Sequence, residues 1–208
     1  MMDWIYFFDL VGTAVFALTG ILAAARHNMD VFGALVLAAV TAVGGGTVRD
    51  IALGATPVFW ITDPNYIYVV MLTLLLTMLF WKTPTKAPKS VLPIADACGL
   101  ALFCVIGADK ALSFGHDGMI AVIMGVITGV GGGVIRDILC RQVPMVLRTE
   151  IYATAAILGG IVYTLGIEFN WHYSVTAGLA LLSALTLRLA ALYWHLSLPI
   201  FREQQLKD

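Results

Sequence analysis

Long apolar runs separated by short polar stretches cover almost the whole of this 208-residue chain. An α-helix needs about 20 mainly apolar residues to cross the hydrocarbon core of a bilayer, and most of the runs reach or approach that length. The pattern therefore predicts an all-α membrane protein with seven transmembrane helices. Their approximate bounds are residues 4–25, 31–53, 64–81, 92–112, 119–139, 150–165 and 172–196.

The composition supports a membrane protein that is not an enzyme. The chain is 60% hydrophobic and 12% charged, whereas a soluble domain is about 45–50% apolar and about 25% charged. No basic cluster of the kind that binds phosphate backbones is present, so we expect no nucleic-acid partner. No phosphate-binding loop, Ser/His/Asp arrangement or zinc signature is visible, so we expect no catalytic residues, metal or cofactor. Cys98, Cys104 and Cys140 fit neither a disulfide framework nor a zinc site, and we interpret them as small buried apolar residues.

A seven-residue motif occurs twice, late in the second and the fifth predicted helix. It is GGGTVRD at residues 44–50 and GGGVIRD at residues 131–137. A constant offset of 87 positions carries the first copy onto the second, and it also carries Asp9 onto Asp96 and Pro57 onto Pro144. About a third of the roughly 54 positions that align without a gap are identical. The chain is therefore predicted to contain an internal duplication.

The duplication predicts how the chain is divided. Residues 1–81 form the first three-helix repeat, residues 82–91 a cytoplasmic linker, residues 92–165 the second repeat, and residues 166–208 the seventh helix with a cytoplasmic tail. Because each repeat has an odd number of helices, the second copy should enter the membrane from the opposite side. Inverted repeats of this kind place a pathway near the bilayer midplane, where the two halves meet.

Lysine and arginine in the short loops predict the orientation, because cytoplasmic loops carry an excess of these residues. One side of the predicted topology carries almost all of them, namely Arg26, Lys82, Lys86, Lys89, Arg141, Arg148, Arg202 and Lys207. The loops of the opposite side carry only Lys110, which follows Asp109. We therefore expect a multi-pass membrane protein with its N-terminus outside and its C-terminus in the cytoplasm.

The glycine triplets are candidates for interruptions within the two helices, because each glycine costs roughly 1 kcal/mol against alanine in a helix interior. A broken helix would act as a hinge and expose carbonyl groups to a cation; the residues concerned are Gly44, Gly45, Gly46, Gly131, Gly132 and Gly133. The alternative is close helix packing, which small residues permit in membranes. The charged pairs that follow the triplets are Arg49, Asp50, Arg136 and Asp137. They are candidates for pore or gating charges, or else for helix-end charges that reach the interface.

Further polar and aromatic positions are candidates for the lining of a pathway. On the first predicted helix, Asp9, Thr13 and Phe16 share one face, and Asp96 and Phe103 occupy the corresponding face of the fourth. Asp9 and Asp96 could instead be interfacial carboxylates near helix N-termini. Thr41, Thr47 and Thr128 could supply hydroxyl groups or bond to their own helices. Arg188 fits an anchor of the seventh helix better than a functional group.

At the two Gly-Gly-Gly-x-x-Arg-Asp motifs the chain resembles the prokaryotic trimeric intracellular cation (TRIC) channels, which are also catalogued as an uncharacterised membrane family or as a "glycine transporter" domain. The likeness covers both repeats and the seventh helix. It implies a homotrimer in the lipid of the bacterial inner (plasma) membrane, with one hydrophilic pore inside each protomer, formed mainly by the first, second, fourth and fifth helices. It also implies that two of these helices are kinked at the glycines. Members of the family pass monovalent cations, with a modest preference for K⁺ over Na⁺.

The expected function is therefore a passive, K⁺-permeable cation channel. K⁺ or Na⁺ is expected only as the permeating ion and not as a cofactor. A secondary transporter of a small zwitterion such as glycine is the alternative, because inverted repeats with broken helices suit that mechanism equally well. An oligomeric scaffold without transport is a third reading, but it leaves the repeated Arg-Asp pair without a purpose.

Overall fold

A computed structural model of the chain describes residues 2–80, 88, 90–148 and 151–197. Within this part the backbone is almost entirely helical, and most of the predicted linker and the whole charged tail lie outside it. The helices are α1 (Met2–Arg26), α2 (Val31–Ala52), the short α3 (Phe59–Thr62), α4 (Asn65–Phe80), α5 (Val91–Ser113), α6 (Gly118–Leu139), α7 (Ala153–Glu168) and α8 (Tyr173–Trp194). A 3₁₀ turn spans Met145–Leu147.

The observed helix bounds agree with the predicted ones to within three residues at every described end. Five helices, namely α1, α2, α5, α6 and α8, are long and apolar enough to cross a membrane. Helices α4 and α7 are apolar but have only 16 residues each, about 24 Å of helix at 1.5 Å per residue. The sequence did not predict α3, whose four residues are too few to carry a periodic signal.

Matching aspartates begin the two helices that carry the glycine triplets. Asp30 caps α2 by accepting a hydrogen bond from the Gly33 backbone N–H at 2.7 Å, and Asp117 caps α6 by accepting one from the Ile120 N–H at 2.9 Å. Each aspartate ends a short turn after the preceding long helix. The turns make α1 and α2 antiparallel neighbours, and likewise α5 and α6.

Two groups of helices meet along a central contact. In the first group, α1, α2 and α4 pack against one another, and in the second α5, α6 and α7 do so. The groups meet where α2 packs on α6 and α1 packs on α5, while α8 lies against α5 and α7. Fully buried alanines such as Ala17, Ala38, Ala101 and Ala108 line these contacts. Small side chains allow close backbone approach, which stabilises helix association where both lipid and protein are apolar.

Both glycine triplets lie inside uninterrupted α-helices, which corrects the expectation of broken helices. Helix α2 continues through Gly44–Gly46 to Ala52, and α6 continues through Gly131–Gly133 to Leu139. In a continuous helix the carbonyl groups of these residues accept hydrogen bonds from the following turn. They are therefore not exposed as cation ligands in this conformation. Tertiary packing outweighs the low helix propensity of glycine here.

Candidate functional site

The first two glycines of each triplet lie in the crossing of α2 and α6. A Cβ atom added to Gly45 would collide with the backbone carbonyl of Thr128, and one added to Gly132 would collide with the carbonyl of Thr41. A Cβ on Gly131 would come within 3.0 Å of the Gly45 Cα. These three obstacles are backbone atoms, which cannot rotate away, whereas a Cβ on Gly44 would meet the Ile135 side chain at 2.6 Å. The glycines therefore serve close helix packing, the alternative that the sequence had left open.

The third glycine of each triplet leaves room for a charged or aromatic group of its own half. A Cβ on Gly46 would lie 2.7 Å from the Phe59 ring and 3.4 Å from the Arg49 guanidinium. A Cβ on Gly133 would lie 3.1 Å from the Tyr152 hydroxyl and 3.6 Å from the Arg136 guanidinium. Each triplet thus has two roles: two glycines bring the helices together, and the third makes space for an aromatic side chain, Phe59 in one half and Tyr152 in the other.

We call the first charged cluster the α2 centre: Arg49, Asp50, Phe59 and Lys110. The Arg49 Nε donates to Asp50 Oδ1 at 2.8 Å, and Lys110 Nζ lies 2.8 Å from the same oxygen. The other Asp50 oxygen accepts a hydrogen bond from the Phe59 backbone N–H at 3.0 Å. The Arg49 guanidinium lies 5.5 Å from the centre of the Phe59 ring. Lys110 comes from α5, so this centre joins the two helix groups.

Asp9 lies near the α2 centre and is held by a tyrosine. The Tyr66 hydroxyl donates to Asp9 Oδ2 at 2.7 Å, and the Tyr66 ring packs edge-on against Phe59 with 4.6 Å between ring centroids. Asp9 is half-buried, whereas Asp50 is fully buried. The predicted candidates Asp9, Arg49 and Asp50 therefore lie in one region at the N-terminal end of α1.

We call the second cluster the α6 centre: Arg136, Asp137, Asp96, Thr19 and Tyr152. Arg136 Nε donates to Asp137 Oδ1 at 2.9 Å, and its Nη1 donates to Asp96 Oδ1 at 2.8 Å and to the Thr19 hydroxyl at 3.0 Å. The Tyr152 hydroxyl donates to the other oxygen of Asp96 at 2.7 Å. Asp96 and Arg136 are both 0% exposed. A single guanidinium is therefore enclosed by two carboxylates, a hydroxyl and a tyrosine.

One nitrogen of the α6 centre has no partner. Arg136 Nη2 is buried and makes no hydrogen bond to any described residue. Asp137, in contrast, uses its second oxygen to accept from the Met145 backbone N–H at 3.0 Å. A buried donor without a partner is unfavourable by about 1–3 kcal/mol. In the α6 centre both carboxylates thus have hydrogen-bond partners on both oxygens, whereas the Nη2 of Arg136 has none among the described residues.

The two centres lie toward opposite ends of α1, with aromatic rings between them. Asp9 and Thr19 are ten residues apart, which corresponds to about 15 Å of helix. The rings of Phe16 and Phe103 pack against each other with their centroids 5.2 Å apart. Phe16 fills the space beside Gly99, and Phe103 fills the space beside Gly12. Both rings are buried, so an apolar contact separates the charged clusters.

The predicted threonines divide into two kinds. Thr41, Thr47 and Thr128 each donate to a carbonyl four residues earlier in their own helix, and Thr47 also accepts from the Trp60 indole N–H at 3.0 Å. Thr13 differs because its hydroxyl is fully buried and has no hydrogen-bond partner among the described residues. Thr13 lies one turn beyond Asp9, toward the phenylalanine pair.

A cavity of about 810 Å³ borders the α6 centre. Arg136 and Asp137 lie at its wall, and Arg26, His27 and Arg148 also line it. Cys140, which is 7% exposed, is part of the same wall. Burial raises the pKa of the Cys140 thiol, so the unreactive neutral form prevails at neutral pH. Among the described residues that line the cavity, the charged groups are therefore mainly basic, with Asp137 as the one carboxylate.

Several groups of these centres were not among the predicted site residues. Lys110 was noted only as the single cation of its side, and Thr19, Phe59, Tyr66 and Tyr152 were not among the predicted residues. Lys110 and Asp50 are 60 positions apart, and Tyr152 and Asp96 are 56 apart. No periodicity joins such residues. One sequence signal did point to these centres: the duplication repeats Asp9 as Asp96. It does not show which side chain binds each carboxylate.

Comparison with known proteins identifies the family. The profile of the family described as "Glycine transporter" matches residues 6–82 and 93–168. A "UPF0126 membrane protein" of Vibrio cholerae is 54% identical over 197 residues, covering 95% of this chain and 82% of that protein. The "UPF0126 inner membrane protein YadS" of Escherichia coli K12 is 52% identical, covering 95% of this chain and 96% of that protein.

Solved structures give the same answer at the level of the fold. The TRIC trimeric intracellular cation channel orthologue from Rhodobacter sphaeroides superposes with a TM-score of 0.87 and is 40% identical, covering 92% of this chain and 98% of that one. A second solved structure, of a TRIC cation channel, has a TM-score of 0.85 and is 36% identical, covering 95% of this chain and 97% of that one. The predicted resemblance is thereby confirmed, and the chain belongs to the glycine-transporter-domain family of membrane proteins, whose fold is that of the TRIC channels.

Proposed function

We propose that this protein is a K⁺-permeable channel for monovalent cations, with a pore inside each protomer of a homotrimer. The observation that carries the proposal is the pair of buried Arg-Asp centres on opposite sides of the Phe16–Phe103 contact. Ionisable groups inside membrane helices are rare and usually mark an ion pathway. The relatives with solved structures are TRIC cation channels. The proposed function needs no cofactor; K⁺ or Na⁺ would bind only as the permeating ions.

The proposed topology has seven membrane spans in two inverted three-helix repeats. Helices α4 and α7 would be the short spans, since they are apolar along their whole 16 residues. The matching Asp30 and Asp117 caps and the matching Arg-Asp pairs support the duplication. The loop lysines and arginines support an inner-membrane protein with its N-terminus outside and its C-terminus in the cytoplasm. The α2 centre would then face outward and the α6 centre inward.

The proposed pathway runs along α1 and α5 and not between the glycine triplets. It leads from Asp9 and the α2 centre past Thr13 to the phenylalanine pair, and from there to the α6 centre and its cavity. The unpartnered Thr13 hydroxyl is a ligand available to a passing cation. The phenylalanine contact excludes water, as apolar constrictions do in other channels. With the two rings in contact, the conformation described here would be a closed one.

The arginines would act as movable electrostatic barriers. In the conformation described here Asp96 and Asp137 hold Arg136 in place beside the proposed path, and a fixed cation beside a path is a barrier to K⁺. Opening would require this guanidinium to change partners. The two N–H donors of the unpartnered Arg136 Nη2, of the five that the guanidinium carries, would be available for such an exchange.

Transport of a small zwitterion such as glycine is the second candidate. Each centre places a guanidinium beside carboxylates, and such a pair is complementary to the carboxylate and the ammonium group of an amino acid. The buried, unpartnered Arg136 Nη2 is an additional donor for a substrate carboxylate. The description of the matching family also names glycine transport.

Two measurements on the same purified protein separate these candidates. In planar bilayers with K⁺ and Na⁺ gradients, a channel gives voltage-driven single-channel currents whose reversal potential follows the cation gradient. In liposomes, a transporter gives saturable uptake of labelled glycine that is accelerated by unlabelled glycine on the other side. Currents without counterflow support the proposal, and counterflow without currents overturns it.

A further inference from the structure

We propose that Arg188 of α8 is a positioning residue for the α6 centre and controls its opening through Tyr152. This inference rests on the proposed channel function, because it assigns Arg188 to the gate of that channel. Helix α8 lies outside the predicted duplication. The inference therefore gives the added helix a role beyond anchoring, which was the reading that the sequence favoured.

The contact between Arg188 and Tyr152 is direct and buried. The Arg188 guanidinium lies 4.7 Å from the centre of the Tyr152 ring, and its Nη1 donates to the Ile151 backbone carbonyl at 2.9 Å. Arg188 is 0% exposed and Tyr152 is 2% exposed. The same side chain thus holds both the ring and the adjoining backbone of the segment that leads into α7.

Tyr152 passes this constraint on to the arginine of the α6 centre. Its hydroxyl donates to Asp96 at 2.7 Å, and the other oxygen of Asp96 accepts from Arg136 at 2.8 Å. A cation over an aromatic face is attracted by the ring electrons and withdraws electron density from the phenol. The hydroxyl then becomes a stronger donor to Asp96. Arg188 therefore fixes the ring in place and strengthens the hydrogen bond that holds Asp96 beside Arg136.

The other half of the molecule holds the corresponding tyrosine in a different way. Tyr66 donates to Asp9, and its ring packs edge-on against Phe59 and Tyr6. The cation beside that group of rings is Arg49, which lies over Phe59. Only in the α6 centre does the tyrosine that binds the carboxylate itself lie under an arginine from another helix, as far as the described residues show. Helix α8 thus adds to the α6 centre a contact, Arg188 on Tyr152, that has no counterpart among the described residues of the α2 centre.

A purely structural role does not require an arginine at this position. Placing a charge in a low-dielectric interior is unfavourable, and well-packed apolar residues often stabilise a fold as well or better. A positioning role does require one, because both the cation over the ring and the N–H donor to Ile151 are used. The two roles predict different behaviour on substitution.

The test compares four single variants in planar bilayers and in thermal unfolding of the detergent-solubilised protein. Arg188→Met removes the cation at similar length, and Arg188→Lys restores a cation. Tyr152→Phe keeps the ring under Arg188 and deletes the hydroxyl that binds Asp96. Thr176→Val is the matched control, because Thr176 is a fully buried residue of the same helix, about 18 Å away from Arg188 along the axis.

We expect Arg188→Met and Tyr152→Phe to shift the open-to-closed ratio in the same direction by about fivefold, the factor for a coupling of about 1 kcal/mol. The double variant should shift it no further than either single one, since both act on Asp96. Arg188→Lys should recover part of the wild-type ratio, and Thr176→Val should leave it unchanged.

The inference is overturned if Arg188→Met gates like wild type while Tyr152→Phe does not, or if the two shifts simply add. A lowered melting temperature with unchanged gating would make Arg188 an anchor only. If the wild-type protein passes no current at all, the proposed function fails instead. The coupling between Arg188 and Tyr152 in a double-mutant cycle of thermal unfolding then still reports whether the contact exists.

Discussion

The α2 and α6 centres have the same motif but different environments. In the α2 centre two cations, Arg49 and Lys110, share one carboxylate, and the Lys110 side chain is 27% exposed. In the α6 centre one cation, Arg136, is enclosed by two carboxylates and is fully buried. Closely similar local sequences therefore give one centre with two cations on one carboxylate and one centre with a single cation between two carboxylates.

The difference arises from residues that the duplication does not preserve. Lys110 corresponds to Ala23 in the first repeat, and Thr19 corresponds to Ile106 in the second. Asp9 and Asp96 are conserved between the halves, yet Asp96 reaches Arg136 whereas Asp9 is bound by Tyr66. Two copies of one helix hairpin have thus become one centre with a partly exposed cation, Lys110, and one centre whose cation, Arg136, is fully buried.

The largest contrast should come from neutralising the arginines. Arg136→Gln leaves Asp96 and Asp137 buried without their cation, which is unfavourable by about 3–5 kcal/mol. Arg49→Gln leaves Asp50 paired with Lys110, so we expect a loss on the order of 1–2 kcal/mol. Melting temperatures of the solubilised proteins measure the difference, and the single-channel open probability should follow the same order. Equal losses of stability in the two variants would show that the different surroundings of Arg136 and Arg49 do not affect the free energy of unfolding.

Substitutions at the α2–α6 crossing should destabilise the protein by similar amounts whether they are made in α2 or in α6. Gly45→Ala and Gly132→Ala each drive a methyl group into a backbone carbonyl of the other helix, and overpacking of this kind costs about 1–3 kcal/mol. Gly178→Ala is the control, because a Cβ there has nothing within 4 Å. Yield and thermal stability of the assembled protein measure the effect. A tolerated Gly132→Leu with wild-type K⁺ flux would contradict close packing at this crossing.

The phenylalanine pair should show a smaller and symmetric effect. Phe16→Ala and Phe103→Ala each remove one ring from the contact between the centres, and an aromatic pair contributes about 1 kcal/mol beyond its buried area. We expect each variant to raise the open-to-closed ratio about fivefold. Single-channel recording at fixed voltage gives that ratio. A rise for only one of the two rings would mean that the pathway passes on one side of the pair.

The smallest effect should follow removal of Lys110. Lys110→Met deletes a partly exposed cation, so its contribution to stability is below about 1 kcal/mol and is screened by salt. Asp50 keeps Arg49 and the Phe59 N–H. We expect a higher conductance at low ionic strength that converges with wild type at about 1 M salt. A difference that persists at high salt would point to a steric role.

The sequence by itself determined the helices and the motifs. Apolar length predicted the bounds of the long helices, and the Asp30 and Asp117 caps in the structure agree with those bounds, because helix formation and capping both depend on residues that are close in the chain. The recurrence of the glycine triplet and the Arg-Asp pair located both centres. The family likeness depended on the same residues.

The tertiary structure decided what those motifs do. Helix propensity suggested that Gly44–Gly46 and Gly131–Gly133 break their helices, but the crossing of α2 and α6 keeps the helices continuous. Partners such as Lys110 for Asp50 and Tyr152 for Asp96 come from distant segments. The energy of a buried ion depends on every group that surrounds it, and the sequence does not show which groups those are until the helices have packed.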